Sequence, residues 1–546
     1  MSKREAKHPK GLRVLFFTEM WERFGYYLML GILALYLMDP KGGMGLPKAE
    51  AYDIVGTYLG LVYLTPFLGG LLADRILGYR KAILIGGVLM GLGYLGLAIP
   101  GYTALWTSLL LIIIGNGFFK PNISTLLGNL YSSDQYKKYK DAGYNFFYMG
   151  INIGAFVCNF VAAYMRNAYG WGYAFAAAGI GMFIGLAWFL YGTRHIKEAD
   201  VIKPANEADM PVSKVLLYVF LPVLVVGALA WFAIPGNILG SDSTDAFIFG
   251  CVPVVIFYFS LWWKADKNDK KQISALLAVF AVVIVFWAVF KQNATALTGF
   301  AETYTDRQIP AKIQPVLKPF GMLQEVDTKV DSFPKYDAYF RPLKDVEEYK
   351  IKVLSPNPYF QNLPKDQWPA EGQKLDLIST EVFQSVNPFF IVLLTPLLVA
   401  FFAFLRTRGK EPSTPAKIGW GLFITGLSTL VMAAAVNFND ITTMKASAWW
   451  LIGSYMVVTV GELCLSPIGL SLVSKVSPVR ITSLMMGGWF LSTSIGNKLS
   501  GVLASMWDNY DNKAYFFYVN FAACMLAALA IFAMIKWLRN IINQHS

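Results

Sequence analysis

Residues 13–38 read RVLFFTEMWERFGYYLMLGILALYLM. About 20 apolar residues, rising 1.5 Å each, cross the hydrocarbon core of a bilayer, and this run is long enough to do so. It nevertheless carries Glu19, Glu22 and Arg23 within five positions. Each ionisable group at the bilayer centre costs at least ~2.5 kcal/mol on insertion scales, so such groups mark function. Positions 19, 22, 23, 26 and 27 follow the i, i+3, i+4, i+7, i+8 spacing of one helical face. The two acids, the base, Tyr26 and Tyr27 therefore share a stripe. Two carboxylates beside one guanidinium leave a net negative cluster in low dielectric, a setting in which a carboxylate can exchange a proton. A structural salt bridge near the helix end would explain a single ion pair, but not two acids, a base and two phenols together.

Working outward, the same kind of run recurs along the 546 residues, near 51–74, 80–99, 104–130, 138–165 and 171–194. Two more lie near 213–234 and 244–264, and six follow near 273–300, 382–406, 416–437, 446–474, 481–507 and 514–537. The sequence predicts an all-α polytopic membrane protein of about fourteen helices ordered six, two, six. Composition agrees: 55% of residues are apolar and 15% charged, where a soluble domain carries about 25% charged residues. The segment MSKREAKHPKG enters the first apolar run without a small-residue cleavage site, so that span is expected to be retained.

The net charge of +12 sits in loops, as membrane orientation requires, and does not call for nucleic acid. One set of short loops holds Lys3, Arg4, Lys7, Lys10 and Arg13, then Arg75, Arg80 and Lys81, then Lys137, Lys138 and Lys140. The same side continues with Arg194, Lys197 and Lys203, then Lys264, Lys267, Lys270 and Lys271, then Arg406, Arg408 and Lys410. The opposite loops carry few bases, such as Lys41, Lys48, Arg166 and Lys445. The positive-inside rule places both termini in the cytoplasm, as an even span count requires. Cys158, Cys251, Cys464 and Cys524 all lie in apolar runs and read as small buried hydrophobes, without metal-ligand spacing. His8, His195 and His545 fall in loops or termini. No metal or cofactor is expected, and the lack of histidine at membrane depth argues against a hydrolase.

Domain limits follow from the same pass. Residues 1–200 form a first six-helix bundle, 201–271 a linker with two extra spans, and 272–546 a second bundle. A polar, proline-rich insert at 301–380 interrupts the second bundle. It contains SPNPYFQNLPKDQWP and has aromatics enough for a small extracytoplasmic subdomain. Loops of such length are functional or flexible.

Two further ions stand isolated in apolar runs: Lys120 in GNGFFKPN (115–122) and Glu462 in GELCLSPIGLS (461–471). Snorkelling to an interface would explain a lysine near an end, but Lys120 lies about mid-run. Pro121, Pro467 and Gly469 would bend these helices, a habit of transporter cavities. Pairing of Lys120 with Glu462, directly or through substrate, is the expectation.

At this point the chain resembles the proton-dependent oligopeptide transporters, bacterial type, within the major facilitator superfamily. EMWERFGYY (19–27) matches the first-helix signature of that family. The likeness continues through YLTPFLGGLLADRILGYRKA (63–82), GNGFFKPN and NFFYMGINIGAF (145–156). Later it takes in FWAVFKQ (286–292), FQSVNPFF (383–390), GELCLSPIGLS and MMGGWFLSTSIGN (485–497). The resemblance implies two six-helix bundles around a central cavity, alternating access, and proton-coupled import of di- and tripeptides across the bacterial inner membrane. It implies that Arg23, Tyr27 and Lys120 meet the peptide carboxylate, for which charge-assisted donors are the right chemistry. Asn152, Asn387 and Glu462 would take the amino terminus. Tyr26, Tyr63, Trp287, Trp489 and Thr493 would line side-chain pockets, although ordinary helix packing explains Trp287 and Trp489 taken singly. Glu19 and Glu22, with Arg23, become the proton-coupling group.

One departure stands out. Bacterial relatives commonly carry an acid in the seventh canonical span and an arginine one turn beyond the tyrosines, where this chain has Lys291 and Leu30. That outer pair cannot be carried over, and Lys291 is expected to find an acid elsewhere, the first-span cluster being one choice. Two rival readings are transport of nitrate or another organic anion, which the intact acid cluster disfavours, and a non-transporting peptide receptor built on the insert.

Overall fold

The computed structural model describes residues 8–137, 139–201, 212–234, 237–344, 350–370, 372–478 and 481–545. Lys3, Arg4, Lys7, Lys138 and Lys203, cited above for orientation, lie outside the described residues. Helices dominate, because a chain crossing lipid must satisfy its backbone polar groups internally. They are α1 (Gly11–Met38), α2 (Lys48–Leu64, continued by Pro66–Leu72), α3 (Tyr79–Gly96), α4 (Tyr102–Leu130), α5 (Lys140–Tyr169) and α6 (Trp171–Gly192). The extra pair is α7 (Leu221–Ala233) and α8 (Asp242–Lys264). The rest are α9 (Lys267–Phe290), α10 (Val386–Thr407), α11 (Thr414–Phe438), α12 (Ala448–Val476), α13 (Thr482–Ser505) and α14 (Ala514–His545).

Among the described residues, eleven helical stretches are long and apolar enough to cross a membrane. The three that are not counted there, α1, α3 and α13, are 28, 18 and 24 residues long. They are less apolar for visible reasons: α1 holds its three ions, α3 opens on Tyr79-Arg80-Lys81, and α13 is rich in Ser and Thr. Eleven and three restore the six, two, six order. The ninth helix begins at Lys267, ahead of the expected 273, because the Asp266 carboxylate accepts from the Asn268 and Asp269 N–H groups and caps it. What reads in sequence as a charged linker is thus the first turns of a helix.

The chain divides into two compact units. The first holds residues up to Ile32 with Leu61–Tyr218, and the second holds Leu33–Gly60 with Val219 onward. Both α1 and α2 are therefore shared, each giving one end to either unit. In the first unit α2 and α4 approach backbone to backbone: a methyl group on Gly69 would lie 2.0 Å from the Gly117 carbonyl oxygen. The turn between α2 and α3 needs Gly78, at φ 78°, a conformation that other residues adopt at a cost. Asp200 then caps α3, accepting from the Tyr79 and Arg80 N–H groups at 2.8 and 3.2 Å and pairing with Arg80 Nε at 2.8 Å.

In the second unit α9 stops at Phe290. A tight turn over Lys291–Ala294 leads to a short helix, Ala296–Thr303, so the seventh canonical span is broken at Lys291. The insert is a small folded module, as its aromatics predict. Strands β2 (Leu323–Asp327) and β5 (Lys374–Ile378) pair antiparallel, as do β3 (Asp331–Pro334) and β4 (Lys352–Ser355). Its core gathers Val326, Tyr359, Phe360, Leu363 and Leu377. Strand β1 (Thr305–Asp306) runs parallel to β6 (Ala446–Ser447), tying the module to the loop before α12. Lys445 Nζ reinforces that tie, donating to Thr303 O at 2.8 Å and Asn362 Oδ1 at 2.7 Å.

Candidate functional site

The first-span stripe is a buried ion cluster. Arg23 Nε lies 2.5 Å from Glu22 Oε2 and 3.1 Å from Glu19 Oε1, and all three side chains are buried. One guanidinium nitrogen thus serves both acids. Arg23 Nη2, Glu19 Oε2 and Glu22 Oε1 are buried without a hydrogen-bond partner among the described residues. A buried donor left unmade is costly, so Nη2 is a natural seat for an incoming acceptor. The guanidinium stands 5.2 Å from the centroid of the Tyr26 ring, which packs edge-on against Tyr27. Tyr26 is fully buried, whereas Tyr27 remains partly open.

Lys120 joins this cluster. Its ammonium sits 3.9 Å from the centroid of the Tyr63 ring, an attractive cation–π placement, and its charge acts on both Glu19 and Glu22. Pro121 follows it inside α4, and Asn122 Nδ2 bonds the neighbouring carbonyls of Phe118 at 2.6 Å and Gly69 at 3.3 Å. Counting formal charge, two acids now face two bases. The net negative cluster read from α1 alone becomes balanced. Asn152 is buried and donates to Tyr148 O at 2.9 Å within its own helix.

The second unit holds a separate polar group. Asn387 Nδ2 donates to Glu462 Oε2 at 3.0 Å and to Thr459 Oγ1 at 2.9 Å. The cation whose charge acts on Glu462 within this unit is Lys291, held 5.8 and 5.5 Å from the Trp287 and Phe290 ring centroids. The charge of Lys291 thus bears on Glu462. The expected Lys120–Glu462 pair has one member on each unit, and each member has charged neighbours of its own there.

Trp489 is buried against Phe280, with ring centroids 6.4 Å apart, and lies over Gly469, where a methyl group would come within 1.9 Å of the indole. Gly469 thus makes room for Trp489, within a helix that runs unbroken from Ala448 to Val476. Thr493 is buried and donates to Trp489 O at 3.1 Å. Trp287 is buried, with its indole N–H unpartnered among the described residues.

Sequence reasoning missed two groups near the first cluster. Tyr94 on α3 is fully buried and within electrostatic reach of Glu22. Asn116, one helical turn before Lys120, is buried with neither amide atom partnered among the described residues. A lone tyrosine in GLGYLG or an asparagine in GNG gives no signal without the fold. It also passed over Asp53 and Lys498, an ion pair at 2.6 Å whose lysine is wholly buried.

Comparison with known proteins agrees with this architecture. The sequence profile described as the POT family matches residues 80–324 and 373–520. The chain is 33% identical over 506 residues to a di-/tripeptide transporter of Lactococcus lactis subsp. cremoris, covering 90% of this chain and 88% of that protein. Among solved structures, it is similar to the peptide transporter POT in complex with sulfate. There the TM-score is 0.76 at 28% identity, covering 98% of this chain and 96% of the other. A POT family transporter in complex with a thioalcohol-conjugated peptide gives a TM-score of 0.76 at 25% identity, covering 97% of each chain.

Proposed function

Because the chain belongs to the POT family, whose profile matches most of it, we propose that it is a proton-coupled symporter importing di- and tripeptides by alternating access. Residues 1–200 and 272–546 act as the two six-helix bundles of this machine, with the extra pair carried between them in 201–271. The protein sits in the bacterial plasma (inner) membrane with both termini cytoplasmic, on the distribution of basic loop residues. Its partners are the peptide, the proton and the bilayer. It catalyses no bond change.

The observation that carries this reading is the buried Arg23 guanidinium, fixed through Nε while Nη2 has no partner among the described residues. With Lys120 and the partly open Tyr27, it offers the peptide carboxylate charge-assisted donors. Asn387 and Glu462, with Asn152, take the amino terminus. Tyr26, Tyr63, Trp287, Trp489 and Thr493 shape the surroundings of the side chains. Broad specificity follows, since the charges read only what all short peptides share.

Coupling follows from the charge balance. Glu19, Glu22, Arg23 and Lys120 sum to zero, so a bound carboxylate adds one uncompensated negative charge in low dielectric. A unit charge about 4 Å away at an effective dielectric near 20 is worth ~4 kcal/mol. Protonation of Glu22 or Glu19 removes that cost, and peptide and proton favour each other's binding. The test is uptake into liposomes containing the purified protein. A protonophore should abolish concentrative dipeptide uptake while counterflow exchange continues. Uptake driven by sodium and indifferent to the protonophore would overturn the reading.

A further inference from the structure

Two buried polar side chains flank the first-span cluster without belonging to it. Tyr94 lies near the end of α3, fully buried, and its hydroxyl has no hydrogen-bond partner among the described residues. Its ring rests against Gly25, where a methyl group would come within 3.1 Å of a ring carbon. Gly25 is one turn beyond Glu22 on α1, and the charges of Glu22 and Arg23 both bear on Tyr94. Asn116 stands between Gly115, packed on α3 at Gly86 and Met90, and Gly117, packed on α2 at Thr65. It shares the Lys120 face of α4, one turn earlier, and neither amide atom has a partner among the described residues.

A buried polar atom left unmade costs more than an ordinary hydrogen bond returns. Phenylalanine at 94 would fill the same space against Gly25 without that cost, and leucine at 116 would do so within α4. The polar atoms therefore need a use beyond packing, and their surroundings define it. Around Glu22 stand Glu19, Arg23, Tyr26 and Tyr27 on its own helix, Lys120 on α4 with Tyr63 of α2 beneath it, and Tyr94 on α3.

Arg23 and Lys120 only donate hydrogen bonds, and an ionised carboxylate only accepts them. A carboxylate that gains and loses a proton needs a neighbour able to do both. Arg23 Nε holds Glu22 Oε2, and Glu22 Oε1 is the oxygen without a partner among the described residues. A phenol hydroxyl donates to such an oxygen when it is ionised and accepts from it when it carries the proton. The amide of an asparagine has the same two capacities.

We propose that Tyr94 is the proton relay of Glu22, with the Asn116 amide as a second two-way partner for the same cluster. The phenol passes its hydroxyl proton to Glu22 Oε1 while its oxygen takes one from an incoming hydronium ion, which leaves as water. One O–H bond forms at Glu22, one breaks and one reforms at Tyr94, and one breaks in the hydronium ion. Under the proposed orientation α1 runs outward from the cytoplasm, so Tyr94 stands on the outer side of Glu22, where protons moving down the gradient arrive. The peptide carboxylate is met by Arg23 Nη2 and Lys120, so proton and peptide reach the cluster by different groups. Tyr94 and Asn116 are positioning residues, since in this scheme neither touches the peptide. The relay rests on the proton-coupled reading above.

The test compares the native chain with Tyr94→Phe, which removes only the hydroxyl, in liposomes containing the full-length protein. At fixed pH the ratio of gradient-driven dipeptide uptake to counterflow exchange should fall about tenfold. Acid should make good that loss: the rate–pH profile of driven uptake should move about one unit to the acid side, tenfold more hydronium offsetting tenfold slower delivery. A packing defect would not be offset in this way. Asn116→Leu should move the profile in the same direction by about half a unit, a threefold loss, and it decides if Tyr94→Phe does not reach the membrane. An unmoved profile in the deciding variant overturns the relay, and so does equal loss of driven uptake and counterflow at every pH. The protonophore separates the two claims. Native uptake that ignores it sinks the proton-coupled reading and the relay together, whereas native uptake that answers to it beside an unmoved variant profile sinks the relay alone.

Discussion

Replacing Glu22 by glutamine isolates the coupling step. The glutamine carbonyl still accepts from Arg23 Nε, which in the native cluster lies 2.5 Å from Glu22 Oε2, so the geometry is kept and only the charge is lost. The native balance of two acids against two bases becomes one against two. A bound carboxylate then restores neutrality without a proton. At ~4 kcal/mol for one charge about 4 Å away, this substitution could tighten peptide binding at high pH by at most ~10³-fold, and it should remove the pH dependence of binding altogether. Accumulation should fail for the same reason. A potential of 100 mV and a gradient of one pH unit supply about 2.3 and 1.4 kcal/mol, together enough for a ~500-fold peptide ratio at one proton per neutral peptide. In liposomes carrying Glu22→Gln, the ratio should fall to about one while labelled dipeptide exchange continues near the native rate. Equal loss of both activities would refute the reasoning and leave Glu22 a role in folding α1. So would uptake that still answers to the gradient.

Other outcomes follow from the same geometry. Lys120→Ala and Glu462→Gln should each insert and remain monodisperse, yet lose proton-driven uptake. Competition by capped and uncapped dipeptides should show Lys120→Ala shrinking the preference for a free carboxylate, and Glu462→Gln shrinking that for a free amine. Unchanged ratios in both would remove them from the substrate site. Outside the spans, the loop before α14 carries Lys513, pushed down to about 8 chiefly by burial, with Asp508 acting in the opposite direction. A lysine held below its ordinary 10.5 costs stability below about pH 8. That cost falls away as pH rises, because the unfolded chain then binds more protons than the folded one. Apparent Tm in detergent should therefore climb between pH 7 and 9, by the equivalent of about 1 kcal/mol, and Lys513→Met should flatten the climb. A native profile already flat would count against it.

What the sequence could show was the expense of a charge; what it could not show was the partner. Glu19, Glu22, Arg23, Lys120 and Glu462 stand out because each interrupts an apolar run, and their helices are legible from the same hydropathy. Asp53 lies five residues inside α2 and reads as an interface residue. Lys498 comes one position after the stretch that ends at Asn497. Only the fold brings them together across a sequence separation of 445. Tyr94 and Asn116 are silent for the same reason, since an uncharged polar residue among apolar ones costs too little to stand out.

The partner of Lys120 matters most. Read from sequence, it belongs with Glu462, leaving the α1 cluster at one net negative charge. Such a cluster would hold a proton before any peptide arrived. In the structure the Lys120 charge bears on Glu19 and Glu22, and the formal charges of the cluster sum to zero until a carboxylate enters. The proton is then drawn in by the substrate rather than waiting for it. The difference is measurable: peptide added to the protein in weakly buffered detergent solution should take up protons from the medium, about one per peptide at pH 7 by the charge balance. A cluster already protonated would show no uptake.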